Sequence, residues 1–393
     1  MEPFTSAAHQ ALRARVRAFA DAHDGVEISA AAVNDGEGRR IVRALGEAGL
    51  LAACLPAGGT KGDGSAAAVP PTLPLVVLRE ELARTSALVD ALAGVQALAA
   101  FCIAGGGDAY ARRRWLPELT DGTAVGAFAL TEAGAGSDLG ALVTTARRDG
   151  GRYRLDGEKC LISNAGIASV YVVFARTGGE GERRPLSAFL VPADAPGLSV
   201  SPVALAVAHP VGTLRLDAVT VDESARLGNE GDGMRLALST LGLLRPTVGA
   251  AACGLARRAL DEATAFVQRR QTFGKALAER DSVQMALAEM ATALDAARLL
   301  VYRAAWSRDR GGADDLAAPS WQSAQSAQSS MAKLFATEAA QQIVDRAVQL
   351  HGGQGVVHGV VVERLYREVR ALRIYEGTSE IQKLIIARAL LAR

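Results

Sequence analysis

The sequence predicts an α+β multidomain chain in three blocks: an α-helical N-terminal domain over 1–125, a β middle domain over 126–231 and a helical C-terminal domain over 232–393. Three observations carry this. Apolar residues recur at helical spacing through the first third, the period shortens to two from about Gly126, and strand patterns vanish again after Asp232. The order helices, strands, helices is not the alternating pattern of a doubly wound sheet. A length of 393 residues also exceeds one ordinary core, so several domains are expected.

The elements follow in order. "HQALRARVRAFADAH" places Leu12, Val16 and Phe19 on one helical face with arginines opposite, and "GRRIVRALGEAGLLAACL" repeats the pattern. The Gly/Pro-rich stretch from Pro56 to Pro74 reads as a loop. Helical pattern resumes from Leu75 to Ala104 and again over "DAYARRRWLPEL". In the middle block Asp149-Gly150 marks a hairpin turn, and "SVYVVFART", "PLSAFLVPA", "GLSVSPVAL" and "TLRLDAVTV" are short apolar strands. Long helices are expected over Arg245–Arg270, Asp281–Arg308 and Gln322–His351, with "GGADDLAAPS" between the second and third. A last helix begins near Thr378. Asp281 with Gln284, and Ser379 with Gln382, read as capping boxes.

Composition narrows the function. With 49% hydrophobic and 22% charged residues the chain is globular, and a net charge of +1 gives no reason to expect nucleic acid or an anionic membrane. Cys54, Cys102, Cys160 and Cys253 are far apart and read as reduced thiols. The five histidines form no paired ligand pattern, so no metal is expected. The N-terminal residues lack an apolar signal core, and the stretch from Ala91 to Gly107 is too short to span a bilayer and contains Gln96. A soluble, cytoplasmic protein is expected.

No GxGxxG fingerprint lies between a strand and a helix, so a dinucleotide would not be bound in Rossmann fashion. Five stretches carry the chemistry instead: "FALTEAGAGSD" (Phe128 to Asp138), "GEKCLISNA" (Gly157 to Ala165), "RRQTFGKAL" (Arg269 to Leu277), "QLHGGQG" (Gln349 to Gly355) and "IYEGTSEIQ" (Ile374 to Gln382). In order and spacing they resemble the acyl-CoA dehydrogenase family, over essentially the full chain. The resemblance implies a helical N-terminal domain, a central β-barrel, a C-terminal four-helix bundle, and non-covalent FAD in a homo-oligomer, dimer or tetramer.

It also implies roles. Leu130 and Thr131 match flavin-ring contacts, Gly134, Ala135 and Gly136 let backbone amides approach an anion, and Ser137 matches a phosphate contact. Ser163 matches the hydroxyl at the flavin N5 edge. Arg270 and Phe273 match residues that reach a neighbouring subunit's FAD, where a guanidinium suits the pyrophosphate. Gln284 matches another FAD contact, Gln349, Gly352 and Gly353 match the pyrophosphate segment, and Thr378 matches both an FAD contact and an N-cap. A glycine pair after a long helix also reads as a plain C-cap.

A carboxylate just ahead of a helix ordinarily caps it, yet the resemblance makes Glu376 the catalytic base. The α-hydrogen of a thioester is a weak acid, so its removal needs a positioned base, raised in pKa by desolvation, and stabilisation of the enolate oxygen. The β-hydrogen leaves as hydride to the flavin, giving a trans-2-enoyl thioester. Tyr375, Gly377 and Arg245 are the expected substrate contacts, and Gly242, Leu243 and Leu244 cannot supply the alternative base that some relatives carry. Electrons are expected to pass to an electron-transferring flavoprotein or equivalent.

Three departures concern substrate and electron exit. Leu161 stands where many relatives carry an aromatic residue, Gly242 replaces an aspartate three residues before Arg245, and His209-Pro210 interrupts the usual barrel segment. An acyl-CoA or an acyl-carrier-protein substrate both remain open. So do two other readings: a flavin monooxygenase of the same fold, which Glu376 disfavours, and a non-catalytic thioester-binding scaffold, which the flavin motifs disfavour.

Overall fold

The computed structural model describes residues 3–22, 36–57, 70–177, 185–311 and 324–391. Most of the expected Pro56–Pro74 loop and the spacer at 312–323 lie outside them. The N-terminal block contains α1 (Ala7–Asp21), α2 (Gly38–Glu47), α3 (Thr72–Thr85), α4 (Ala87–Gly106) and α5 (Ala109–Thr120). The helical pattern from Leu75 to Ala104 is therefore two helices. Ser86 is extended (φ −146°) and its Oγ accepts a hydrogen bond from Val89 N at 3.4 Å, so one N-cap residue starts a new helix inside the run.

The stretch from Ala91 to Gly107, expected to be too short to span a bilayer, falls in α4 and its C-cap. That helix begins earlier, at Ala87, and is apolar and long enough to cross a membrane; most of it is buried inside the fold, as expected of a core helix. Its interrupting polar residue is fully used. Gln96 Nε2 donates to Leu119 O and Ala124 O, both at 2.8 Å, and its Oε1 accepts from Gly126 N at 2.9 Å. That side chain ties α4 to the first strand. At the other side of the block, Glu81 is gripped by Arg17 of α1 and by Arg257 of the C-terminal block, at 2.8 and 2.6 Å.

The middle block holds β1 (Gly126–Ala129), β2 (Thr145–Asp149), β3 (Arg152–Ser163), β4 (Val170–Arg176), β5 (Leu186–Pro192), β6 (Leu198–Pro202), β7 (Val211–Asp222) and β8 (Arg226–Leu227). The ladder runs β6-β7-β3-β2-β4-β5-β8, with β1 added in parallel on β4. Asp149 pairs with Arg152 across the expected hairpin, and Gly150 takes the left-handed conformation (φ 59°) that the turn requires. Alternate residues of β1 to β5 and β7, including Ala127, Tyr153, Leu155, Val173, Phe189 and Leu214, converge on one interior. The opposite faces of β4 and β5, carrying Val172, Phe174 and Leu190, pack into the helical core instead. Both strands are thus buried on both faces, which explains their continuous apolar runs.

The C-terminal block holds α6 (Gly233–Arg269), a small hairpin of β9 (Gln271–Thr272) and β10 (Lys275–Ala276), then α7 (Asp281–Gly311), α8 (Ala324–His351), α9 (Val361–Val369) and α10 (Ser379–Leu391). The helix α6 begins at Gly233, not at Arg245. Pro246 looks like a first-turn proline, yet it sits in the helix interior, because Leu236, Ala237, Leu243 and Leu244 bury a face upstream of it. That burial outweighs the roughly 3 kcal/mol an interior proline costs. The short α9 was not expected, although Val362, Leu365 and Val369 bury a helical face.

Neither capping box closes as the sequence suggests. Gln284 Nε2 donates to Ala278 O at 2.9 Å, and Ser379 Oγ donates to Glu338 Oε1 at 2.6 Å. Thr378 caps α10 instead, its Oγ1 accepting from Ile381 N at 3.4 Å.

Candidate active site

Between α9 and α10 the chain makes a 3-10 turn over Arg370–Arg373, and then places two successive residues in the left-handed region: Glu376 (φ 53°) and Gly377 (φ 91°). For a glutamate this conformation costs about 1–2 kcal/mol, so the surroundings must impose it. At 377 the left-handed φ strains any residue with a side chain, and a Cβ there would also displace Gln382 Nε2, 2.6 Å away. The Gly377 carbonyl accepts from Lys333 Nζ of α8 at 2.7 Å and from Gln382 Nε2 at 2.9 Å. Upstream, Arg373 pairs with Glu338 of α8 at 2.8 Å. Glu376 does not cap α10; its Oε2 is enclosed and has no hydrogen-bond partner.

The carboxylate lines a cavity of about 450 Å³ where the three blocks meet. Leu130, Thr131, Gly136, Ser137 and Ser163 come from the β block, Arg245 from α6, and Tyr375, Glu376 and Gly377 from the loop before α10. The expected flavin-ring, base and substrate residues are thus brought to one place by long-range packing. Burial lifts the Glu376 carboxyl above its ordinary pKa; Arg79 and Lys333 pull it back, Asp90 adds to the lift, and Arg245 opposes it.

The charged wall on the N-terminal side was not anticipated. Arg79 of α3 donates through Nε and Nη2 to both Asp90 oxygens of α4 at 2.9 Å, and through Nη1 to Thr247 Oγ1 at 3.0 Å. Burial alone would lower the Arg79 pKa, but Asp90 outweighs it and holds it above the ordinary value. The guanidinium lies against Gly94, where a Cβ would approach Arg79 Cζ to 2.8 Å. The sequence signal lay in Asp90 alone, a single acid inside a helix otherwise apolar on every face; Arg79, beside Glu80, Glu81 and Arg84, gave none. Arg245 is only 6% exposed, its Nε is enclosed without a partner, and burial lowers its pKa to about 10.

The β side of the cavity carries several of its polar groups. After Thr131 the loop is pinned by Glu132, which accepts from Val143 N at 2.7 Å, Thr144 N at 3.0 Å and Lys159 Nζ at 2.7 Å. Lys159 also donates to Leu130 O at 3.1 Å. Downstream, the backbones of Gly134 and Gly136 face open space, with nothing within 4 Å of a Cβ. His209 Nε2 and Ser163 Oγ share a hydrogen bond at 2.8 Å, while His209 Nδ1 is enclosed and unpartnered. Burial lowers the His209 pKa to about 4, so the imidazole is neutral near pH 7. The Thr131 hydroxyl, the Ser163 hydroxyl held by His209 and the uncrowded backbone at Gly136 all line this side of the cavity and fit the polar edges of an isoalloxazine.

Arg270, Phe273, Gln284, Gln349, Gly352, Gly353 and Thr378 do not line this cavity. Phe273 stands on the β9–β10 hairpin, 97% exposed and left-handed (φ 51°). Gly352 is also left-handed (φ 59°) directly after α8, which is the helix-ending role of a C′ glycine. Leu161 takes φ 54° at the cavity edge and is 58% exposed.

The acyl-CoA dehydrogenase N-terminal, middle and C-terminal domain profiles match residues 6–123, 127–219 and 231–391. The chain is 38% identical over 315 residues, 79% of this chain and 80% of the relative, to cyclohexane-1-carbonyl-CoA dehydrogenase of Geobacter metallireducens. Among solved structures it resembles a glutaryl-CoA dehydrogenase from Mycobacterium smegmatis in complex with FADH2, with TM-score 0.84, 27% identity, and coverage of 100% of this chain and 97% of that one. It also resembles the prolyl acyl carrier protein oxidase AnaB, with TM-score 0.84, 27% identity, and coverage of 98% and 99%. With all three domains matched, the chain belongs to the acyl-CoA dehydrogenase family of flavoproteins and is an oxidoreductase of the kind that acts on CH–CH donors.

Proposed function

We propose that the protein is an FAD-dependent dehydrogenase that converts an acyl-CoA to the trans-2-enoyl thioester, with Glu376 as the base that removes the α-proton. The observation that carries this reading is the Glu376 carboxyl itself. Its Oε2 is enclosed and unpartnered, its pKa is raised by burial, and it lines the same cavity as Thr131 and Ser163. A base in that state is ready for a weak carbon acid, as a capping carboxylate would not be. The left-handed turn leaves the Glu376 N–H free to donate to the thioester oxygen as charge develops there. Leu130, Thr131, Gly136, Ser137 and Ser163 would hold the flavin, which when bound supplies the acceptor for the β-hydride. Arg270, Phe273, Gln284, Gln349, Gly352, Gly353 and Thr378 would complete its site in a homo-oligomer, dimer or tetramer. The electrons would leave to an electron-transferring flavoprotein, in the cytoplasm.

A carrier-bound acyl group is the second reading. Gly242 leaves open space where a Cβ would meet nothing within 4 Å, and His209 lines the cavity from the β side. Similarity to a carrier-protein oxidase favours the same view. Anaerobic bleaching of the bound flavin by matched CoA and carrier-protein thioesters decides between them. Glu376→Gln should keep the flavin and slow bleaching by about 10²–10⁴-fold. Near-wild-type bleaching in that variant refutes the assignment of the base. Bleaching by neither thioester refutes the dehydrogenase reading and favours the monooxygenase.

A further inference from the structure

We propose that Lys333 is a positioning residue for the base: from the middle of α8 its ammonium clamps the Glu376–Gly377 turn and adds positive potential behind the carboxylate. The proposal rests on the reading of Glu376 as the base. Lys333 is fully buried, a place lysine almost never occupies without a counterion. Among the described residues it makes no ion pair. Its hydrogen-bond acceptor is the Gly377 carbonyl, at 2.7 Å. The carboxylates around it are committed or distant from bonding: Glu338 takes Arg373 and Ser379, and Glu380 lies on the exposed side of α10. Burial lowers the Lys333 pKa to about 8, so the ammonium is retained near pH 7 at the expense of stability.

Packing alone does not explain such a residue, because a methionine would fill the same volume without desolvating a charge. The geometry does. Lys333 and Gln382 place two donors on one carbonyl, that of the residue immediately after Glu376, and both 376 and 377 are left-handed. Fixing that peptide plane prevents the turn from relaxing to the right-handed region and so fixes where the carboxylate starts from. The charged groups facing Glu376 are Arg79 and Asp90 from α3 and α4, Arg245 from α6 and Lys333 from α8, with the Tyr375 hydroxyl beside it. Arg79 exerts the largest of these pulls toward the ionised base, but its partner Asp90 opposes it; Lys333 and Arg245 add to the pull with no paired carboxylate of their own among the described residues.

The test compares Lys333→Met and Lys333→Gln in the flavin-loaded protein, with Glu376→Gln alongside. Lys333→Met should lower kcat by about 100-fold, the effect of a small misplacement of a reacting group. The acid limb of kcat/KM should move to higher pH, since removing a cation raises the pKa of the neighbouring carboxyl. Infrared titration of the carboxyl band absent from Glu376→Gln reads the same shift without turnover. Lys333→Gln keeps a donor but no charge, so it should recover most of the kcat above the limb while the limb stays displaced. A flavin-loaded Lys333→Met with kcat within threefold of wild type overturns the clamp. An unmoved limb in whichever variant folds overturns the electrostatic role. If Glu376→Gln itself retains turnover, the base assignment has failed, whatever Lys333 does.

Discussion

The Arg79–Asp90 pair invites a double-substitution cycle. The side chains are 3% and 4% exposed and share two hydrogen bonds, so neither charge has water to fall back on. Arg79→Met leaves Asp90 buried without its counterion, and Asp90→Leu strands the guanidinium. Each should cost about 3–5 kcal/mol. In the first case Asp90, whose pKa burial already raises, can take up a proton and trim the loss toward the lower end. The double variant, Arg79→Met with Asp90→Leu, removes both desolvation penalties and fills the same space with apolar groups, so it should lie within about 1 kcal/mol of wild type or above it. Urea unfolding of each variant at neutral pH measures this. Activity reports separately: loss of Arg79 alone should displace the acid limb of kcat/KM upward, because that guanidinium opposes the raised pKa of Glu376. If the double variant is destabilised by the sum of the two singles, the reasoning from desolvation is wrong.

Two further outcomes are expected. Gly94→Ala should cost about 1–3 kcal/mol as overpacking, because its Cβ would meet an Arg79 guanidinium that two Asp90 bonds prevent from moving. In the Arg79→Met, Asp90→Leu background the cost should vanish, and thermal melts in both backgrounds test this. Lys159→Met leaves the buried Glu132 with only its backbone donors, so it should destabilise by about 3 kcal/mol and loosen the loop after Thr131. Flavin fluorescence on dilution should show faster release, and unchanged retention would refute the loop's part in holding the cofactor.

The helix–strand–helix order and the hairpin at Gly150 were legible because periodicity and turn chemistry are local. The split at Ser86 and the early start of α6 were not, since one serine inside an apolar run and one proline inside a long helix acquire their meaning from what packs on either side. The site divides in the same way. Thr131, Ser163 and Glu376 announce themselves within short stretches. Arg79 and Lys333 do not: Arg79 stands directly before Glu80 and Glu81, where a run of charge reads as a solvated face, and the acceptor of Lys333 lies 44 residues away at Gly377.

The two-sided burial of β4 and β5 has a consequence for how the chain comes apart. Val173 and Phe174 are neighbours in sequence but belong to different interiors. Cutting the β block from its helices would leave Val172, Phe174 and Leu190 facing water, and the helices would lose part of their own lining. The boundaries expected near 125 and 232 should therefore separate stretches of sequence without separating folding units. Heat or denaturant should release the three together, and a single residue exchanged on β4 should be felt by the sheet or by the helices according to whether its position is odd or even.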